Sequence, residues 1–124
     1  MRYRYLIAFE GVKEATNLKW VMGSNSVAIC HRMAFEGWYM EGRLKPGVHY
    51  IEVRQDLADL DEKIAYYEAN PDAARAIVKN ANTWAAQFAD PAHEDLIATL
   101  VLLRYAKLTR DNMPRHLRAY QDLV

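Results

Sequence analysis

The placement of glycine constrains this chain more than any other feature. All five glycines (Gly11, Gly23, Gly37, Gly42 and Gly47) lie within residues 1–55, and residues 56–124 contain none. Glycine loses the most backbone freedom on folding and suits turns better than element interiors. A front half of short elements joined by turns is therefore followed by a half free to run as long helices. The front half carries three short runs rich in β-branched and aromatic residues, at 3–9, 26–30 and 48–53. The first becomes continuously apolar toward Phe9, as a strand covered on both faces does, and Glu10-Gly11 closes it. A helical stretch starts near Lys13, with Leu18, Val21 and Met22 at helical spacing. Gly23-Ser24-Asn25 supplies a left-handed stop for it. A short helix is predicted over residues 34–40, and Leu44-Lys45-Pro46-Gly47 reads as a turn.

The second half is more regular. Asp59 with Glu62 has the spacing of a capping box. Leu57, Leu60, Ile64 and Tyr67 then follow at steps of three and four. Asn70-Pro71 and Asp90-Pro91 each place a capping residue before proline at the first helical position. Between them Ala74, Ile77, Ala81, Trp84 and Phe88 form one apolar stripe. The last helix, about 92–108, carries Leu96, Ile97, Leu100, Val101, Leu102, Leu103, Tyr105 and Leu108. These cover more than the ~100° that one contact face needs. That helix is either buried on two sides or has a second partner.

The order is strand, helix, strand, helix, strand, then three helices. Strands separated by helices pair in parallel through right-handed crossovers. The expected fold is α/β: a small parallel sheet of about three strands with helices, half of an open Rossmann-like nucleotide-binding architecture or a compact version of one, and a C-terminal helical segment. With no repeat or linker, residues 1–124 read as a single domain, the size of one compact unit of about 100–200 residues.

Composition removes several functions. Sixteen basic and sixteen acidic residues balance, which argues against a nucleic-acid-binding domain. The longest aliphatic stretch, 96–103, falls far short of the ~20 residues that span a bilayer. The N-terminal apolar run is cut by Glu10 and does not read as a signal peptide. The single Cys30 cannot form an internal disulfide and suits a reducing compartment. A cytoplasmic protein is expected, working free or at a membrane surface. His31, His49, His93 and His116 lack metal-ligand spacing, so no metal site is expected. The basic residues Arg104, Lys107, Arg110, Arg115, His116 and Arg118 read as a solvated helix end.

Ligands of open parallel sheets bind beyond the carboxyl ends of the strands. That rule selects residues 10–19, residues 31–36 and the stretch after Val53. A strand, Gly11 and a helix start together offer backbone N–H groups and a positive helix end to a phosphate. Thr16, Asn17 and Lys19 would add hydroxyl, amide and ammonium contacts. The local pattern also fits a plain turn at Gly11 and a solvated Lys19, because neither GxxxxGK[ST] nor GxGxxG is present. Glu36, beside Trp38-Tyr39, suits sugar hydroxyls or an ordinary helix surface.

Several segments carry a resemblance in order. Tyr5-Leu6-Ile7-Ala8-Phe9-Glu10-Gly11, Asn17-Leu18-Lys19-Trp20, Leu44-Lys45-Pro46-Gly47-Val48-His49-Tyr50 and Asp56-Leu57-Ala58-Asp59-Leu60 resemble the C-terminal half of glycosyltransferase family 90. The similarity runs from about Arg4 to Leu108 and resembles the bacterial lipopolysaccharide-type members more than the animal protein O-glucosyltransferases. It implies the donor-binding lobe of a two-lobed GT-B fold, with a UDP-sugar as donor substrate and no dinucleotide cofactor. By resemblance Gly11 lets backbone approach the donor, Asn17 and Lys19 face the diphosphate, and Ser26 begins a strand near the nucleotide. Animal-type members carry Arg where this chain has Asn17, and Ser where it has Ala15, so less charge would meet the diphosphate here. Sugar displacement needs a base for the acceptor hydroxyl and charge stabilisation at the leaving diphosphate. This chain offers candidates only for the second, so no catalytic residue is expected in it. Transfer would await an acceptor lobe, and helix 92–108 would meet that lobe or a second copy. The alternative is a non-catalytic assembly module that keeps the fold.

Overall fold

A computed structural model describes residues 3–109. Three strands, β1 (Tyr5–Ile7), β2 (Val27–Cys30) and β3 (Ile51–Glu52), form one sheet in the order β1-β2-β3. Both pairings are parallel, with Tyr5 opposite Val27 and Ile29 opposite Ile51. The helices are α1 (Leu18–Met22), α2 (Leu60–Ala69), α3 (Pro71–Ala86) and α4 (Pro91–Thr109), with a 3₁₀ turn at Glu41–Arg43. This is the expected α/β fold on a small parallel sheet. The chain divides into two compact units, Met1–Gln87 and Phe88–Val124. Arg110, Arg115, His116 and Arg118 of the basic tail lie outside the described residues.

Every residue of β2 is buried, as the central strand of a parallel sheet requires. Val27 and Ile29 join Ile51, Val53, Ala74 and Ile77 in one apolar cluster. Ala74 and Ile77 belong to α3, so that helix covers one sheet face. Fully burying a side chain the size of Ile77 contributes roughly 1.5–3 kcal/mol. β1 departs from the expectation of two covered faces: it is an edge strand, Tyr5 and Leu6 are half-buried, and Ile7 is 47% exposed.

The predicted helix over 34–40 does not form, and α1 is shorter than its spacing suggested. Residues 34–40 have no regular structure because several of their N–H groups bond to carboxylates elsewhere. Residues 13–17 stay non-helical, and Asn17 instead donates its side-chain amide to the Ile7 carbonyl at 2.9 Å. Gly23 ends α1 with φ of −81°, not in the left-handed region. Its N–H reaches the Lys19 carbonyl, and the Ser24 hydroxyl donates to the Val21 carbonyl at 2.6 Å. Left-handed backbone occurs at Gly47, as its turn requires, and also at Met40 and Leu57. Leu57 therefore lies outside α2. Asp59 makes no side-chain cap; its carboxylate accepts the Arg54 N–H at 2.9 Å. Asp90 does cap α4, accepting the Ala92 N–H at 3.0 Å.

Candidate functional site

The three strands end together, and the residues just beyond them are cross-linked. After β1 the Phe9 ring stacks on His31, which follows β2, at 3.9 Å and 16°. His31 Nδ1 lies 3.4 Å from the carbonyl oxygen of Val53, which follows β3. One contact chain thus joins the exits of all three strands. Next in sequence, Glu10 reaches over the sheet end with both carboxylate oxygens. Oε2 accepts the Ala34 N–H at 2.8 Å and Oε1 accepts the Phe35 N–H at 3.1 Å. Sequence patterning showed Glu10 only as the end of an apolar run. A carboxylate between a strand end and a glycine was the signal available.

The residues expected to contact a ligand fall into two groups. Gly11, Thr16, Asn17 and Lys19 share the connection from β1 into α1. Open space surrounds the Cβ position of Gly11, so a ligand could approach its backbone. The Gly11 N–H, however, is spent on the Lys13 carbonyl at 3.2 Å. Thr16 is exposed beside it. Asn17 has one amide hydrogen bond committed to the end of β1. Lys19 Nζ sits 4.2 Å above the centre of the Trp38 ring, a cation–π contact. That contact and the Glu10 hydrogen bonds bring the Glu36-bearing loop alongside this connection. The Glu36 carboxylate turns back over Gly42, where an added Cβ would lie 3.0 Å from Oε2. Ser26 stands apart from the other five. It precedes β2, at the amino end of the sheet, and its buried hydroxyl donates to the Tyr3 carbonyl at 2.7 Å.

Below the loop lies a cavity of about 390 Å³ with Arg32, Glu41, Leu44, Tyr50 and Glu52 among its walls. Glu41 is only 3% exposed, and its carboxylate accepts the Gly37 N–H at 2.7 Å. The Tyr50 hydroxyl donates to Glu52 at 3.2 Å. Burial, aided by that carboxylate, pushes the Tyr50 phenol well above its ordinary range. Burial and Glu41 push the Tyr39 phenol up to about 12. Both rings are therefore neutral hydrogen-bonding groups at neutral pH. Cys30, raised to about 12 by burial, is an unreactive thiol. His49 goes the other way, lowered by burial and by Lys45, and its Nδ1 accepts the Lys45 N–H at 3.0 Å.

Among the described residues no three His, Cys, Asp or Glu side chains gather in a way that would hold a metal ion. No helix among them is long and apolar enough to cross a membrane.

Comparison with known proteins gives consistent matches. The family model for Glycosyl transferase family 90 matches residues 1–121. The O-glucosyltransferase LpsA of Dichelobacter nodosus is 49% identical over 108 residues, covering 87% of this chain and 34% of the relative. Protein O-glucosyltransferase 1 of Rattus norvegicus is 28% identical over 125 residues, covering 97% of this chain and 30% of the relative. Protein O-glucosyltransferase 2 of Danio rerio is 36% identical over 77 residues, or 61% of this chain and 15% of the relative. The chain thus spans about a third or less of the length of these relatives.

Proposed function

This chain belongs to glycosyl transferase family 90, and we propose that it is the lobe that holds the sugar donor, a UDP-sugar, in a GT-B arrangement. One observation carries this reading. The connection bearing Gly11, Thr16, Asn17 and Lys19 and the loop bearing Glu36 meet beyond the carboxyl ends of parallel strands, where open α/β sheets take their ligands.

The structure changes how a diphosphate would be held. α1 has only five residues, so its dipole contributes little. The Gly11 amide is already used. Charge on the donor would instead meet the Lys19 ammonium, which needs only to leave the Trp38 ring, with Thr16 adding a hydroxyl. The Glu36 carboxylate would accept hydrogen bonds from sugar hydroxyls. Ser26, at the far end of β2, is not part of this donor site. The acceptor and the base for its hydroxyl would come from a separate acceptor lobe, without which the chain binds donor and transfers nothing. The substrate class follows the O-glucosyltransferase relatives, with a lipopolysaccharide or related glycan as the product, made in the cytoplasm or at the inner-membrane surface. The donor is itself a substrate, and no further cofactor is required.

Calorimetry with UDP, UDP-glucose and UDP-xylose tests the reading. Weak, saturable heat with all three is expected. No heat at millimolar ligand overturns the donor site.

A second reading has its own support. Leu96, Leu100, Val101, Leu102, Tyr105 and Leu108 of α4 are all exposed. A helix with so many exposed large apolar side chains offers an association surface. In this reading the chain is an assembly module that has kept the fold, and sedimentation of a clean monomer at high concentration refutes it.

A further inference from the structure

Residues 31–40 cross the end of the sheet with few backbone hydrogen bonds among themselves. Three of their N–H groups bond to carboxylates: Ala34 and Phe35 to Glu10, and Gly37 to Glu41. An N–H group in such a loop needs a partner, and an ionised oxygen is the strongest one available. The Glu41 contact is local, four residues away. The Glu10 contact is not: it spans 24 and 25 residues and joins the exit of β1 to the exit of β2. Glu10 also directly precedes Gly11. Its carboxylate therefore fixes the spacing between the connection that carries Thr16 and Lys19 and the loop that carries Glu36 and Trp38.

We propose that Glu10 is a positioning residue for the donor site, clamping the 31–40 loop by two adjacent amides so that both sets of ligand groups face one volume. The proposal rests on the donor-lobe reading. It adds a residue that touches no ligand and acts through Glu36, Trp38 and Lys19. The requirement is geometric. Two consecutive N–H groups need two oxygens at one carboxyl, and glutamate is long enough to bring both. Glutamine keeps the shape but offers one oxygen and turns an NH₂ toward the second N–H. Aspartate keeps the charge but is one methylene short.

The test uses the whole chain, with Glu10→Gln and Glu10→Asp as variants, and reads amide hydrogen exchange and UDP affinity together. In the wild type the Ala34 and Phe35 amides are protected from exchange. In Glu10→Gln that protection falls, while the amides of β2 stay protected and report an intact sheet. UDP affinity then drops roughly tenfold, the equivalent of one lost charge-assisted hydrogen bond. Glu10→Asp recovers part of it. Wild-type UDP affinity in a Glu10→Gln chain that has lost the loop protection overturns the positioning role. So does unchanged protection of Ala34 and Phe35 in that variant. If the wild-type chain is protected at both amides but binds no UDP, the donor reading fails, and Glu10 is reduced to a structural clamp. A uniform loss of protection that includes β2 in both variants also overturns the proposal, since Glu10 would then hold the fold and not the loop.

Discussion

Helices α3 and α4 are similar in length, and both begin at a proline, yet they spend their apolar residues differently. On α3, Ala74, Ile77 and Ala81 are buried along one stripe while the opposite face stays wet. Polar groups then fix its setting. Asn82 donates to the carbonyls of Met22 and Ser24, both at 2.7 Å, and the Trp84 indole donates to the Tyr39 carbonyl at 3.3 Å. On α4, Leu103 and Ala106 are buried, and the other large apolar residues stand in solvent around much of the circumference. A periodic helix with polar anchors specifies its own docking. A helix apolar on most sides specifies only that something apolar should cover it.

The most severe way to break this contrast is Ile77→Ala. It removes buried methyl groups between α3 and the sheet, and a loss of about 2–5 kcal/mol is expected from urea unfolding. A loss below about 1 kcal/mol would mean that α3 does not hold the sheet. A smaller effect comes from acidification. His49 lies edge-on to Trp84 of α3 at 5.6 Å, and its pKa in the folded chain is below the unfolded value near 6.5. Between those two values the unfolded chain binds more protons, so stability rises with pH through that window and falls as pH drops below about 6.5. Protonation at Nδ1 would also cost the Lys45 N–H its acceptor. Thermal unfolding from pH 7 to 5 should show this slope, and His49→Gln should flatten it. The smallest expected change is at α4. Leu100→Lys should alter monomer stability by less than ~0.5 kcal/mol, because the residue is exposed. If the wild-type chain self-associates, the same substitution should shift sedimentation toward monomer.

Much of the fold was legible because its signals are local. The three apolar runs mark the strands, α1 between the first two accounts for their parallel pairing, and Pro71 and Pro91 mark the starts of α3 and α4; β2 and β3 pair in parallel without the helix that the spacing predicts between them. The stretch 34–40 misled because Ala34, Phe35, Trp38 and Tyr39 imitate helical spacing, while the acceptor that holds it is Glu10, far away in sequence. Asn17 was legible as a polar residue beyond a strand. That its amide would bond the Ile7 carbonyl depends on how the chain returns, which composition does not encode. The resemblance puts Ser26 near the nucleotide, whereas strand direction puts it at the amino edge of the sheet, where its hydroxyl meets the Tyr3 carbonyl.

The register of the sheet has a kinetic consequence. Tyr5 pairs with Val27 and Ile29 with Ile51, so both crossovers enclose the same length of chain. Loop-closure entropy depends on that length and therefore favours neither pairing as the first event. The sequence of assembly falls to α3, whose Ile77 meets residues of β2 and β3 in one cluster and rewards whichever strands arrive together.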